Sequence, residues 1–168
     1  ACGVRSIEHG NLIDAPTAAL MAERGAFAVP TLITYEALAR DGVQLGLGAE
    51  SVAKIAQVRA AGLKSLEILK AAGVKMAFGT DLLGASHGLQ SEEFLIRAQV
   101  QSNLEVLQSA TLIGAELLNQ VGVLGEIASG ARADLLLVDG NPLTDLACLT
   151  GQGERIPLVM QGGKLRVN

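Results

Sequence analysis

Two short strand-like stretches in this chain end in groups that bind metals and move protons. Val74 to Phe78, interrupted by one Lys, gives way to Gly79-Thr80-Asp81. A carboxylate delivered at the end of a buried strand can ligate a cation or accept a proton. Gly3 to Ile7 likewise runs into Glu8-His9-Gly10 and delivers an imidazole. Imidazole nitrogen and carboxylate oxygen are ordinary donors for zinc and similar divalent ions. Each residue also has a plainer reading, with Thr80-Asp81 as a helix cap and His9 as a structural side chain. Their equivalent places at two strand ends favour a shared site, because a parallel barrel points those ends into one crater. Gly79 is expected to let the backbone turn out of the sheet.

The elements that must position these groups alternate along the chain. Asp14 caps a helix with Pro16 in its first turn, and Gly25 closes it. Ala26 to Leu32 reads as the next strand, with Thr31 to Glu36 emerging as a loop that carries Tyr35. Asp41 to Gly48 reads as a lid or crossover loop. A long helix follows, with Ile55, Val58, Gly62, Leu66 and Leu69 on its buried face and Gly73 at its end. Gly62 is expected to allow close packing. Such alternation predicts parallel βα units, with His9, the Thr31-to-Tyr35 segment and Asp81 at one edge of a three-stranded parallel sheet. Beyond Asp81, Leu82 to Gln90 has a loop composition and holds His87, Ser91 caps a helix opening Glu92-Glu93-Phe94, and Thr111 separates two further helices. Past Val121 the texture changes to short strands, at Leu135 to Val138 and at a Gly162-Gly163 hairpin joining Leu158 to Met160 with Leu165 to Val167.

Glu8-His9-Gly10-Asn11, Pro30-Thr31-Leu32, Gly79-Thr80-Asp81, Gly130-Ala131-Arg132-Ala133-Asp134-Leu135 and Asp139-Gly140-Asn141-Pro142-Leu143 occur in that order. Together they resemble the C-terminal half of the metal-dependent amidohydrolase superfamily, nearest to the imidazolonepropionase-related group of prolidase-like Xaa-Pro dipeptidases and Xaa-Arg carboxypeptidases. The resemblance implies an α/β fold. Residues 1–121 would supply strands six to eight of a (β/α)8 TIM barrel with their helices, and residues 122–168 the C-terminal strands of a small β-sandwich domain. It implies His9 as the sixth-strand metal ligand, Asp81 as the eighth-strand ligand and catalytic proton carrier, and Tyr35 as a phenol that holds the substrate's carboxylate or carbonyl. His87 is a further candidate for touching substrate. The remaining family ligands, a His-x-His pair, a carboxylated Lys or Glu, and another His, would precede residue 1. The implied cofactor is one or two divalent ions, zinc foremost. The implied activity is hydrolysis of a C–N bond in an amide or dipeptide, including Xaa-Pro, by metal-activated hydroxide. An isolated C-terminal portion should then be inactive.

The composition fits part of such an enzyme. The chain has 168 residues, whereas a full barrel takes about 250. Aromatics make up 2% of the residues and the net charge is −4, which excludes base-stacking surfaces and a basic nucleic-acid face. No apolar run is long enough to span a membrane, and no charged leader opens the chain. A cytoplasmic protein is favoured, with any signal lying upstream of a chain that begins mid-fold. Cys2 and Cys148 suggest neither a disulfide framework nor a zinc motif. The expected partners are a small amide or dipeptide, the missing N-terminal half, and further copies in a homo-oligomer. One alternative is a non-catalytic binding or assembly module, in which His9 and Asp81 would point apart or lie buried in ordinary hydrogen bonds. Another is a phosphate-binding barrel enzyme, which Gly84-Ala85-Ser86-His87-Gly88 matches poorly.

Overall fold

The computed structural model describes residues 2–44 and 46–166. Strand β1 (Ser6–Glu8) pairs in parallel with β2 (Phe27–Val29), with Ile7 opposite Ala28. Helix α1 (Ala15–Glu23) connects them. Its start follows from local chemistry: Asp14 accepts the Thr17 N–H, hydrogen bonding from the Thr17 side chain first and its N–H second holds the Asp14 carboxyl below the ordinary range, and Pro16 lies in the first turn. Gly25 leaves the helix with φ +61.

The expected third strand is present but shorter than its apolar run. Lys75 and Ala77 exchange backbone hydrogen bonds with Ala28, forming one parallel bridge between Ala28 and Met76. Pairing then stops because other partners take the backbone. The Ala77 carbonyl accepts from Arg97 Nη1 and the Phe78 N–H donates to the Ser109 carbonyl. The three parallel segments are thus neighbours in chain order. Helix α3 (Ala49–Ala71) covers them with Leu66 and Leu69, packed with Ala18, Met21, Ala28, Leu32, Val74 and Met76 into one core. A Cβ on Gly62 would stand 2.6 Å from Leu32 Cδ2, so a glycine there allows the close approach expected.

Tyr35 departs from its expected setting. Residues from Leu32 onward form helix α2 (Leu32–Asp41) instead of a loop. Pro30 ends the strand, and Thr31 with φ −138 turns directly into the helix. Leu45, within the expected lid loop, lies outside the described residues, as does Val167 at the end of the expected hairpin strand.

Residues Gly84–Glu92 form 3-10 turns that run straight into α4 (Glu93–Arg97). Ser91 therefore caps nothing, because the chain already enters α4 coiled. Helices α5 (Asn103–Ala110) and α6 (Leu112–Leu117) meet at Thr111. Ser102 caps the start of α5 through a reciprocal capping box with Glu105, whereas Thr111 precedes α6 without a side-chain cap bond and its hydroxyl donates back to the Leu107 carbonyl. Strands β3 (Leu135–Leu137), β4 (Leu158–Gln161) and β5 (Lys164–Arg166) form an antiparallel sheet in chain order. Between β3 and β4, the segment of Leu146, Cys148 and Leu149 packs onto Val106, Phe78 and Phe94.

Candidate active site

The C-terminal ends of β1 and of the Val74 segment come together. His9 Nδ1 lies 3.8 Å from Asp81 Oδ2, with the two side chains 43% and 56% exposed. Both residues have left-handed backbones, His9 at φ +64 and Asp81 at φ +51. A non-glycine residue in that region is costly, on the order of 1–3 kcal/mol, and such residues concentrate at functional sites. Only Asn119 and Gln152 share the feature among the described residues. The turn out of the sheet is made by Asp81 and not by Gly79, whose φ lies outside the left-handed region. Gly79 serves close approach instead: a Cβ there would sit 2.7 Å from Val29 Cγ1 and 3.3 Å from Thr31 Cγ2.

The start of α2 supplies the surroundings. His9 Nδ1 is 2.8 Å from Thr31 Oγ1. With Nδ1–H donating to that hydroxyl, Nε2 keeps its lone pair free. The Thr34 hydroxyl donates to the Asp81 carbonyl at 3.0 Å. Tyr35 is half-buried, and burial first, then the Asp81 charge, push its phenol above the ordinary range. It therefore stays protonated at neutral pH and is a hydrogen-bond donor. A cavity of about 540 Å3 shares Thr34 and Leu82 with this edge and is lined further by Leu38, Leu47 and Leu83, with Arg40 and Asp41. His87 lies on the 3-10 segment with its side chain exposed, and no hydrogen bond or ion pair joins it to His9 or Asp81.

Behind the site lie two buried ionisable residues, Glu93 and Arg97, of which the sequence reading named only Glu93. Glu93 stands at the start of its own helix, as expected, but it is 0% exposed and accepts the Ile33 N–H of α2 at 2.7 Å. Arg97, also 0% exposed, donates to the Ala77 carbonyl and to Gln101 Oε1 and stacks over the Phe78 ring. Burial raises the Glu93 carboxyl to about 7 against the lowering effect of the α2 amides and Arg97. Burial likewise lowers Arg97 to about 10. Glu93 Oε1 and Arg97 Nη2 have no hydrogen-bond partner among the described residues. The spacing of Glu93 and Arg97, one helical turn apart among apolar residues, was the available signal.

The residues present suit a divalent cation in kind. A free imidazole nitrogen and a carboxylate that receives no hydrogen bond among the described residues are both accessible donors at one edge. Among the described residues no cluster of three or more His, Cys, Asp or Glu comes together, and a catalytic zinc site ordinarily keeps three protein ligands.

Residues 1–165 match the amidohydrolase family. The chain belongs to the amidohydrolase family. It superposes on the C-terminal part of solved members. With an amidohydrolase crystal structure it shares 62% identity and a TM-score of 0.96, covering 99% of this chain and 40% of that one. With a prolidase solved in complex with N-methylphosphonate-L-proline it shares 56% identity and a TM-score of 0.96, covering 99% and 41%. Among curated proteins, the ochratoxinase of Aspergillus niger is 30% identical over 165 residues, which are 97% of this chain and 34% of that protein. The chain therefore spans about a third of that curated relative and about two fifths of the solved ones. No helix among the described residues is long and apolar enough to cross a membrane.

Proposed function

We propose that the complete enzyme containing this chain hydrolyses the C–N bond of a small amide or dipeptide, with a free carboxylate beside the scissile bond and Xaa-Pro dipeptides foremost. The observation that carries this reading is the approach of His9 and Asp81 to 3.8 Å at two strand ends, both held in left-handed turns. A non-catalytic module would have no use for that strain at two accessible donor groups. The family match and the prolidase and ochratoxinase likenesses support amide hydrolysis. The antiparallel sheet of β3, β4 and β5 is read as part of a second small domain, with the division near Val121.

His9, through Nε2, and Asp81, through its carboxylate, would hold a divalent ion, zinc foremost, together with ligands from the preceding part of the barrel. Such an ion, when bound, acidifies water and polarises a carbonyl. The chain's own residues do the rest. Asp81 takes the proton of the attacking water and passes it to the leaving nitrogen, so that the C–O bond forms as the C–N bond breaks and an amine departs neutral. Thr34 fixes the Asp81 backbone and Thr31 the His9 ring. The Tyr35 hydroxyl donates a hydrogen bond to the substrate carboxylate, and His87 is a second candidate for substrate contact from the neighbouring 3-10 segment.

The test restores the preceding barrel half, from the upstream gene sequence or from the 62% identical amidohydrolase. Hydrolysis is then assayed on Xaa-Pro dipeptides, other dipeptides and their C-terminal amides. Faster cleavage of free-carboxylate dipeptides is expected. A zinc-loaded enzyme that cleaves none of them would overturn the reading.

A further inference from the structure

The start of α2 poses a capping problem that Glu93 solves. A helix leaves its first N–H groups without intrahelical acceptors, and a Thr at the N-cap ordinarily accepts one of them through its hydroxyl. Thr31 holds that place but makes no such bond, and its hydroxyl lies 2.8 Å from His9 Nδ1 instead. The orphan Ile33 N–H goes to Glu93 Oε2 at 2.7 Å, across a sequence distance of 60 residues. Both ends of this arrangement are shut away from solvent, with Thr31 4%, Ile33 4% and Glu93 0% exposed. A buried acidic side chain is uncommon without a task, and here its hydrogen bond goes to the positive end of α2, with Arg97 near enough to act on it electrostatically but forming no ion pair with it among the described residues.

We infer that Glu93 is a positioning residue: by capping α2 from outside, it releases the Thr31 hydroxyl to hold the His9 ring and sets Thr34 and Tyr35 against Asp81. The inference rests on the hydrolase reading for its kinetic consequence, while its structural consequence stands without it. If Glu93 is truncated, the Ile33 N–H loses its acceptor and the nearest replacement is Thr31's own hydroxyl. The His9 ring then loses the bond that fixes its tautomer and direction. Arg97 braces the opposite side by holding the Ala77 carbonyl four residues before Asp81.

The experiment is a double-mutant cycle in the restored, zinc-loaded enzyme with Glu93→Ala, Glu93→Gln, Thr31→Val and Glu93→Ala/Thr31→Val. Rates are taken per folded molecule, and the 15N signals of the His9 ring are recorded in the same samples. Thr31→Val is expected to lower kcat about 10- to 100-fold, the usual range for a residue orienting a ligand. Glu93→Ala should lower kcat at least tenfold, and Glu93→Gln, which keeps an acceptor oxygen, should recover most of the loss. The double variant should be no more than about twofold slower than Thr31→Val, since two changes acting through one hydroxyl do not add. The His9 Nδ1 signal in Glu93→Ala should move to its Thr31→Val position even if no substrate is turned over. An unshifted His9 signal in folded Glu93→Ala would overturn the inference, as would fully additive losses, which mark a merely structural role. A wild-type enzyme with the expected His9 shifts but no turnover would fail only the hydrolase reading.

Discussion

His9 and Asp81 are the residues to which the proposed chemistry is assigned, and both sit where backbone geometry is uncomfortable, with φ +64 and +51. Asp81→Asn is the informative change. Asn tolerates the left-handed region at least as well as Asp, so the turn survives, but its amide cannot carry a proton. Turnover should fall about 10²- to 10⁴-fold, with a melting temperature within a few degrees of wild type. Equal loss of rate and fold would point to a structural role instead. Tyr35→Phe should raise KM for free-carboxylate dipeptides about tenfold, as loss of a charge-assisted hydrogen bond does, and leave C-terminal amides unchanged. An unchanged KM for both would remove only the substrate assignment. The approach of His9 and Asp81 was legible in the sequence because each ends a stretch that reads as a strand. Thr31 was visible only as part of a motif, since nothing in its neighbourhood says that its hydroxyl serves a histidine 22 residues earlier.

At the level of elements, the parallel strands and α1 were readable from alternation and from Asp14, Pro16 and Gly25, all local signals. The start of α2 was not, because Thr31 lacks its usual cap bond and the acceptor comes from Glu93 in a distant helix. That pairing has a measurable signature. Burial raises the Glu93 carboxyl from the ordinary 4.5 to about 7, so between those values the folded protein keeps a proton that the unfolded chain releases. Stability should fall as pH rises from about 4.5 to about 7 and level off above, by about 3 kcal/mol in total from this group. Chemical denaturation of the complete enzyme at pH 5 and 7.5 should show a wild-type decline that is smaller in Glu93→Gln by about 2 kcal/mol, the share of the total that falls in that window. An identical decline in both would refute the assignment. Gly79→Ala tests the close approach of the third strand: its Cβ would crowd Val29 and Thr31. It should cost about 1–3 kcal/mol, as overpacking does, read as a lower denaturation midpoint.

Across the described residues, the β1 flank of the parallel sheet has no strand partner beyond β2. Strand β1 pairs only with β2 among the described residues, and nearby Val4, Ile7 and Leu12 are 58%, 36% and 74% exposed. Solved amidohydrolases continue for more than half their length beyond the part that this chain matches. Covering that flank is the task we assign to the preceding barrel segment, because an open strand edge beside apolar side chains invites association. The 168 residues alone should therefore self-associate in dilute solution, bind zinc feebly through two donors, and hydrolyse nothing at an enzymatic rate. Light scattering that finds a monomer with a sharp cooperative melt would count against this. The extent of the resemblance was legible from motif order, whereas the shape of the shared edge depended on pairing that the apolar runs alone overstate, as the single bridge at Met76 illustrates. The most direct measurement is the steady-state rate of Xaa-Pro dipeptide hydrolysis by the restored, zinc-loaded enzyme and by its Asp81→Asn variant at equal zinc content. Turnover in the wild type and at least a hundredfold loss in the variant is the expected result, whereas an Asp81→Asn enzyme at full rate would contradict the assignment of Asp81 as the proton carrier.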